Sequence, residues 1–232
     1  MNMENDKDYK KVLAIKKNNI VWLKKITDIK PIDLLVKHRK PNEILFKCVK
    51  RVSINGKQTE THLYAKTEYE NYKSLLNKNN YIYEIIPAER PRKTYFDIDG
   101  DNEKCLENAI KIIKQLFGDD VKMAISGCGK GTYKNKTKYS YHIVLPNIIF
   151  ENKDEMNDLK LVIKSLANKD NGLDSLIYGS NQSIKSINQS KNRKDKKRIQ
   201  KIIQDDNIDN HIISALKINL TDDWKSPRQF FK

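Results

Sequence analysis

Glu103 to Phe117 carries Leu106, Ala109, Ile110, Ile113, Leu116 and Phe117 at the spacing of one apolar helix face, with Gly118 where a C-terminal cap belongs. A helix with one apolar stripe must lay it on another element, and β-type segments flank this one on both sides. Before it runs Thr94-Tyr95-Phe96-Asp97-Ile98-Asp99-Gly100; after it come Val121 to Ser126 and Ser140 to Leu145, the last stopped by Pro146. A glycine- and lysine-rich loop is expected over Gly127 to Lys138. Asp154 to Asn168 repeats the helical spacing through Met156, Leu159, Val162, Ile163 and Leu166, and apolar positions continue to about residue 187. The order is strand, helix, strand, strand, helix, strand.

That order predicts an α+β fold with a βαββαβ sheet of ferredoxin-like or RNA-recognition-like (RRM-like) type, although other sheets with helices on one side satisfy it too. Upstream, Glu43 to Leu63 reads as a hairpin turned at Asn55-Gly56, because Asn-Gly supplies the positive φ of a tight turn. Thr67 to Leu76 reads as a short helix and Tyr81 to Ile86 as a strand, followed by a basic turn with Arg90, Arg92 and Lys93. The expected division is an N-terminal helical or extended arm over 1–42, an N-terminal α/β module over 43–93, and an RRM-like module with a basic extension over 94–232. The charge run Lys191 to Arg198 is expected on a solvated loop or helix start.

The formal charge of +15 and pI near 9.5 point to a polyanionic partner, most naturally nucleic acid, with part of the lysine excess reflecting an AT-rich genome. Cys48, Cys105 and Cys128 are odd in number and widely spaced, which gives neither a disulfide framework nor a zinc motif. His38, His62 and His211 add no ligand spacing, so no zinc is expected, and no GxxxxGK[ST] phosphate loop is present. No run approaches the roughly 18 apolar residues of a membrane span, and the acidic N-terminus is unlike a signal peptide. The expectation is a soluble intracellular protein without a membrane partner.

Three polar signals carry the chemistry. In a strand, Asp97 and Asp99 share one face, and two adjacent carboxylates call for a cation; oxygen donors suit Mg²⁺ or Mn²⁺. The plainer alternative is a strand end with solvated acids. Lys138, Ser140 and His142 likewise share a face and together can donate several hydrogen bonds to phosphate, although a lone strand histidine is more often structural. Asp174 follows Gly172 and precedes Asn181, Gln182 and Lys185; alone, such an aspartate is commonly a turn or cap residue.

The order Asp-x-Asp, Ser-x-His, apolar-Asp resembles the three motifs of the archaeo-eukaryotic primase superfamily. The resemblance is strongest to PrimPol-type primase-polymerases and to primases of nucleocytoplasmic large DNA viruses, including the primase part of poxvirus-type primase-helicases. It rests on Phe46 to Gly56-Lys57, on Tyr83-Glu84-Ile85-Ile86-Pro87 leading into Tyr95 to Asp99, on Lys138-x-Ser140-x-His142, and on Asp174 through Ile177-Tyr178, Asn181-Gln182, Lys185 and Ser190-Lys191. It implies that Asp97, Asp99 and Asp174 hold two divalent ions for nucleotidyl transfer. It further implies that Lys138, Ser140, His142, Gln182, Lys185 and Lys191 face the nucleotide phosphates, Tyr83 the incoming sugar, and Lys50 and Arg51 the template or nucleotide.

Two positions depart from the family: Gln182 and Lys185 stand where arginines are usual. Lysine keeps charge but loses the bidentate fork, and glutamine has no charge. The second acid, often glutamate, is Asp99; either can ligate. The implied function is a DNA-directed primase or polymerase domain acting on nucleoside triphosphates and a single-stranded DNA template, with a replicative helicase fused or recruited. A viral source would place it at a replication site in a cytoplasmic factory or the nucleus, and the end at Lys232, soon after Trp224, fits a domain excised from a longer polypeptide. Two other classes use overlapping residues: a catalytically weak single-stranded nucleic-acid-binding module, and a two-metal nuclease.

Overall fold

A computed structural model describes residues 3–17, 20–54, 57–78, 80–87, 90–133, 136–179, 181–190, 198–214 and 224–230. In chain order the elements are β1 (Val12–Lys17), β2 (Ile20–Lys25), α1 (Pro31–Lys37), β3 (Glu43–Ile54), β4 (Lys57–Glu68), α2 (Tyr69–Leu76), β5 (Ile82–Ile86) and β6 (Arg92–Gly100). Then come α3 (Cys105–Phe117), β7 (Ala124–Tyr133), β8 (Lys136–Phe150), α4 (Lys153–Leu166), β9 (Gln182–Lys185), β10 (Lys201–Gln204) and α5 (Ile208–His211). The fold is α+β and has two compact units: Met1–Ile86 with Ser183–Lys197, and Pro87–Gln182 with Arg198–Lys232. Among the described residues no helix is long and apolar enough to cross a membrane.

The first unit holds a six-stranded sheet, ordered β1-β2-β4-β3-β5-β9. Strands β3 and β4 pair along their whole length, ending with Ile54 opposite Lys57. This register leaves two residues for the connection, Asn55-Gly56, which lie outside the described residues. Residues 12–25, expected within an arm, instead form a hairpin in this sheet, with Leu23 opposite Tyr64. Their apolar side chains explain it: Val12 and Leu23 are buried in one cluster with Leu34 and Leu35 of α1 and Leu45 and Ile85 of the sheet.

The second unit holds a four-stranded sheet, ordered β10-β7-β8-β6. Helix α3 packs on β6 through Ala109, Ile113 and Phe117, and the Phe96 and Phe117 rings meet edge-on at 6.2 Å. Phe96 and Ile98 of β6 are thereby committed to the helix side, and the alternate positions, Asp97 and Asp99, face away from it.

Four local expectations fail for identifiable reasons. The supposed loop over Gly127 to Lys138 is the long β7–β8 hairpin; its glycines admit close neighbours, since a Cβ on Gly127 would strike the Tyr141 ring. Strand β8 does not stop at Pro146 but bulges there, and Lys225 restores the lost pairing by donating to Asn147 O at 2.9 Å and accepting from Ile149 N at 3.0 Å. Arg92 and Lys93 are not turn residues: both are buried in β6, where Arg92 donates to Pro87 O and Lys93 to the carbonyls of Asp209 and Ile212. Of the last strand expected before residue 187, the second unit's sheet holds, among the described residues, an isolated bridge of Leu173 to Ile98; β9 lies in the first unit's sheet, and β10 pairs with β7.

Near α5, His211 is buried and its Nε2 donates to the Asp205 carbonyl at 2.6 Å, while its Nδ1 has no partner among the described residues. Burial, with a smaller push from the Lys93 ammonium, holds its pKa below the usual histidine value. The unfolded chain therefore binds a proton that the folded chain refuses, and His211 disfavours the folded state once pH falls below about 6.5. The denaturant midpoint, followed from pH 8 to pH 5.5, is expected to fall, and His211→Gln should flatten part of that slope.

Candidate active site on the four-stranded sheet

The β6–β8 register brings the first two polar signals together. Asp97 lies directly opposite His142, and Asp99 directly opposite Ser140. Opposite residues of an antiparallel pair point to the same side of the sheet, with Cβ atoms about 4.5–5.5 Å apart. Lys138 is one step further on the same side, and its Nζ meets Asp99 Oδ2 at 2.7 Å. His142 Nε2 approaches Asp97 Oδ1 at 3.6 Å, in a more buried position. The exposed end of the site thus carries the lysine–aspartate pair, and the inner end the histidine–aspartate pair.

Asp174 reaches the same place by a different route. After α4, Gly172 O accepts from Asp99 N at 2.8 Å, and Asp174 N donates to Asp97 O at 3.0 Å, around an isolated antiparallel bridge between Ile98 and Leu173. This register sets Asp174 beside Asp97 on the free edge of β6. Asn171, buried, holds the preceding turn by donating to Leu166 O at 2.8 Å and accepting from Leu173 N at 3.0 Å. Beyond the bridge, Tyr95 donates to Ile177 O at 2.9 Å and Tyr178 donates to Tyr95 O at 2.7 Å. Burial raises the Tyr178 pKa well above the usual phenol value, so it stays a neutral donor. The Asp174 carboxylate accepts from Leu176 N at 2.7 Å.

The structure thus places Asp97, Asp99, Asp174, Lys138, Ser140 and His142 on one sheet and its edge. Gln182 belongs to the same unit, where its Nε2 donates to Leu176 O at 3.4 Å. Tyr83 in β5, Lys185 in β9, and Lys50 and Arg51 in β3 belong to the first unit; Lys47 lies 5.4 Å over the Tyr83 ring. Lys191 lies outside the described residues.

Three carboxylates of β6 and its edge offer only hard oxygen donors, the chemistry that Mg²⁺ and Mn²⁺ take. Among the described residues no three His, Cys, Asp or Glu side chains converge as a ready metal-ligating group. Asp99 is paired with the Lys138 ammonium, and the His142 ring stands 3.6 Å from Asp97 Oδ1.

Two features of this face escape a strand-by-strand reading. Beyond the bulge at Cys128, Gly129 and Gly131 oppose Ser140 and Lys138, so β7 offers no side chains beside them. Ser126 opposes His142 and accepts from Gln200 Nε2 at 3.1 Å. The period-two glycines at 127, 129 and 131 were the available signal, obscured because glycine is depleted in strands. No family model matches the chain, and no curated protein matches it.

Proposed function

We propose that this chain is the catalytic domain of a DNA-directed primase or primase-polymerase, joining nucleoside triphosphates on a single-stranded DNA template. The observation that carries the reading is the register: Asp97 opposite His142, Asp99 opposite Ser140, and Asp174 bridged to Asp97 gather three separate motifs onto one sheet. The order bridge segment, β6, β8, β7 supports an RRM-like sheet whose last strand is reduced to the Leu173 bridge, with β10 added at the far edge.

In this reading Asp97, Asp99 and Asp174 hold two divalent cations, Mg²⁺ or Mn²⁺. Bound there, such ions supply charge neutralisation at the attacking and leaving oxygens of an in-line phosphoryl displacement. Ser140 and His142 donate to the phosphates from the floor of the site. Lys138 exchanges its carboxylate partner for phosphate oxygen, so its positive charge remains compensated in both states. Tyr83, Lys50, Arg51, Gln182, Lys185 and Lys191 are the further nucleotide or template contacts, and a fused or recruited helicase is the partner at a replication fork.

Incubation with a primed single-stranded template and labelled nucleotides is expected to give extended product with Mg²⁺ or Mn²⁺, none after chelation, and recovery on re-addition. Release of mononucleotides from the template would point to a nuclease. The Lys138 and His142 contacts already made to Asp99 and Asp97 favour a second reading, a binding module that needs no metal. Salt-sensitive DNA binding, indifferent to metal and nucleotide and without extension, would establish that module instead.

A further inference from the structure

Gly131 lies opposite Lys138, so any side chain there would project onto the face that holds Lys138 and Ser140. That volume is already filled. A Cβ built on Gly131 would come within 2.5 Å of Arg198 Cζ, which means that the Arg198 guanidinium lies on the bare strand where a side chain would otherwise stand. The partners of this cation are poor. Its Nη2 reaches Cys128 Sγ at 3.5 Å, a weak acceptor, while its Nε is buried without a hydrogen-bond partner among the described residues. A half-buried guanidinium with five donors and, among the described residues, no carboxylate paired with it, next to a lysine and a serine, is suited to a multiply charged anion. Beside it, no atom lies within 4 Å of a Cβ position on Gly129, opposite Ser140.

We infer that Arg198 is a nucleotide-binding residue that takes the triphosphate of the incoming nucleotide by its guanidinium fork, with Gly131 as the bare seat that lets it lie on this face. The inference rests on the nucleotide-site reading above and deepens it. From the segment before β10 it lays against β7 the arginine that Gln182 and Lys185 do not supply. Arg198 needs no movement of the strand to act, since its neighbours on the sheet are glycine and a thiol.

Calorimetric titration of dATP and of inorganic triphosphate into the whole chain tests this. Arg198→Gln is expected to weaken both by about tenfold to a hundredfold, the range for a charge-assisted hydrogen-bonding pair. Arg198→Lys should recover only part, because it restores charge without the fork. Gly131→Ala should reproduce Arg198→Gln by evicting the guanidinium, and Arg228→Gln, which removes an exposed arginine paired with Asp158 at 2.8 Å, should change neither. Thermal midpoints establish that each variant is folded, and Gly131→Ala and Arg198→Lys each stand as a test should Arg198→Gln unfold. Tight binding by wild type with unchanged binding by the folded Arg198 and Gly131 variants would overturn the inference and leave the site reading standing. No binding by wild type would overturn both.

Discussion

Asp97→Ala/Asp99→Ala is expected to abolish template-directed nucleotide incorporation, by at least about a thousandfold, while leaving the chain folded. The size follows from the several kcal/mol that cation-assisted charge stabilisation supplies to a phosphoryl displacement. The fold should survive because β6 is anchored by its other face: Phe96 and Ile98 are buried and remain so. What the double variant loses structurally is the Asp99 contact with Lys138, a partly exposed pair whose worth is about 0–1 kcal/mol, and the longer Asp97 approach to His142. Asp120→Ala, which removes an exposed acid after α3, is the control and should retain full activity. Incorporation by the folded double variant at the wild-type rate would remove these residues from the chemistry.

The parts of the molecule legible in its sequence are those specified by local periodicity. Helix α3 has a 3.6-residue stripe, β6 and β8 alternate, and Asn-Gly predicts a hairpin whose register leaves two residues for the turn. The shared face of Asp97 with Asp99, and of Ser140 with His142, follows from the same period of two. What periodicity cannot supply is which strand lies beside which. Nothing local to Gln182–Lys185 says that this strand joins the first sheet, or that Lys201–Gln204 closes the second.

Glycine and charge mislead for a related reason. Gly127, Gly129 and Gly131 read as loop because propensity registers what a residue lacks; in the folded chain that lack makes room for the Tyr141 ring and the Arg198 guanidinium. Arg92 and Lys93 read as surface because charge is usually solvated, yet backbone carbonyls distant in sequence satisfy Lys93 inside. Arg198 ends a charge run expected in solvent, and only tertiary pairing of β7 with β8 gives it a seat. Asp174 reads alone as a cap residue, and it does cap a short helical turn; its second position, beside Asp97, depends on two long-range hydrogen bonds.

Those two bonds hinge on Gly172, and Gly172→Ala is expected to damage stability and activity together. Gly172 has φ +62, in the left-handed region, where a side chain costs about 1–2 kcal/mol. Its Cβ would also lie 2.9 Å from Gly100 N and 3.0 Å from the Asp99 carbonyl carbon, backbone atoms of β6 that cannot swing aside. Overpacking of this kind adds about 1–3 kcal/mol, so a loss of roughly 2–5 kcal/mol is expected in denaturant titrations. Gly118→Ala separates the two contributions. Gly118 has φ +92 and ψ 157, a conformation nearly confined to glycine, but a Cβ there meets nothing within 4 Å, so this variant bears conformational strain without a clash and should lose about 1–3 kcal/mol. The functional consequence is also separable. To relieve the clash the chain must withdraw from β6, breaking the Asp99–Gly172 and Asp174–Asp97 bonds and carrying Asp174 away from Asp97. Per folded molecule, Gly172→Ala should therefore incorporate nucleotide as poorly as Asp174→Ala, while Gly118→Ala stays at the wild-type rate. Wild-type incorporation by folded Gly172→Ala would mean that the placement of Asp174 against β6 is not needed for the reaction.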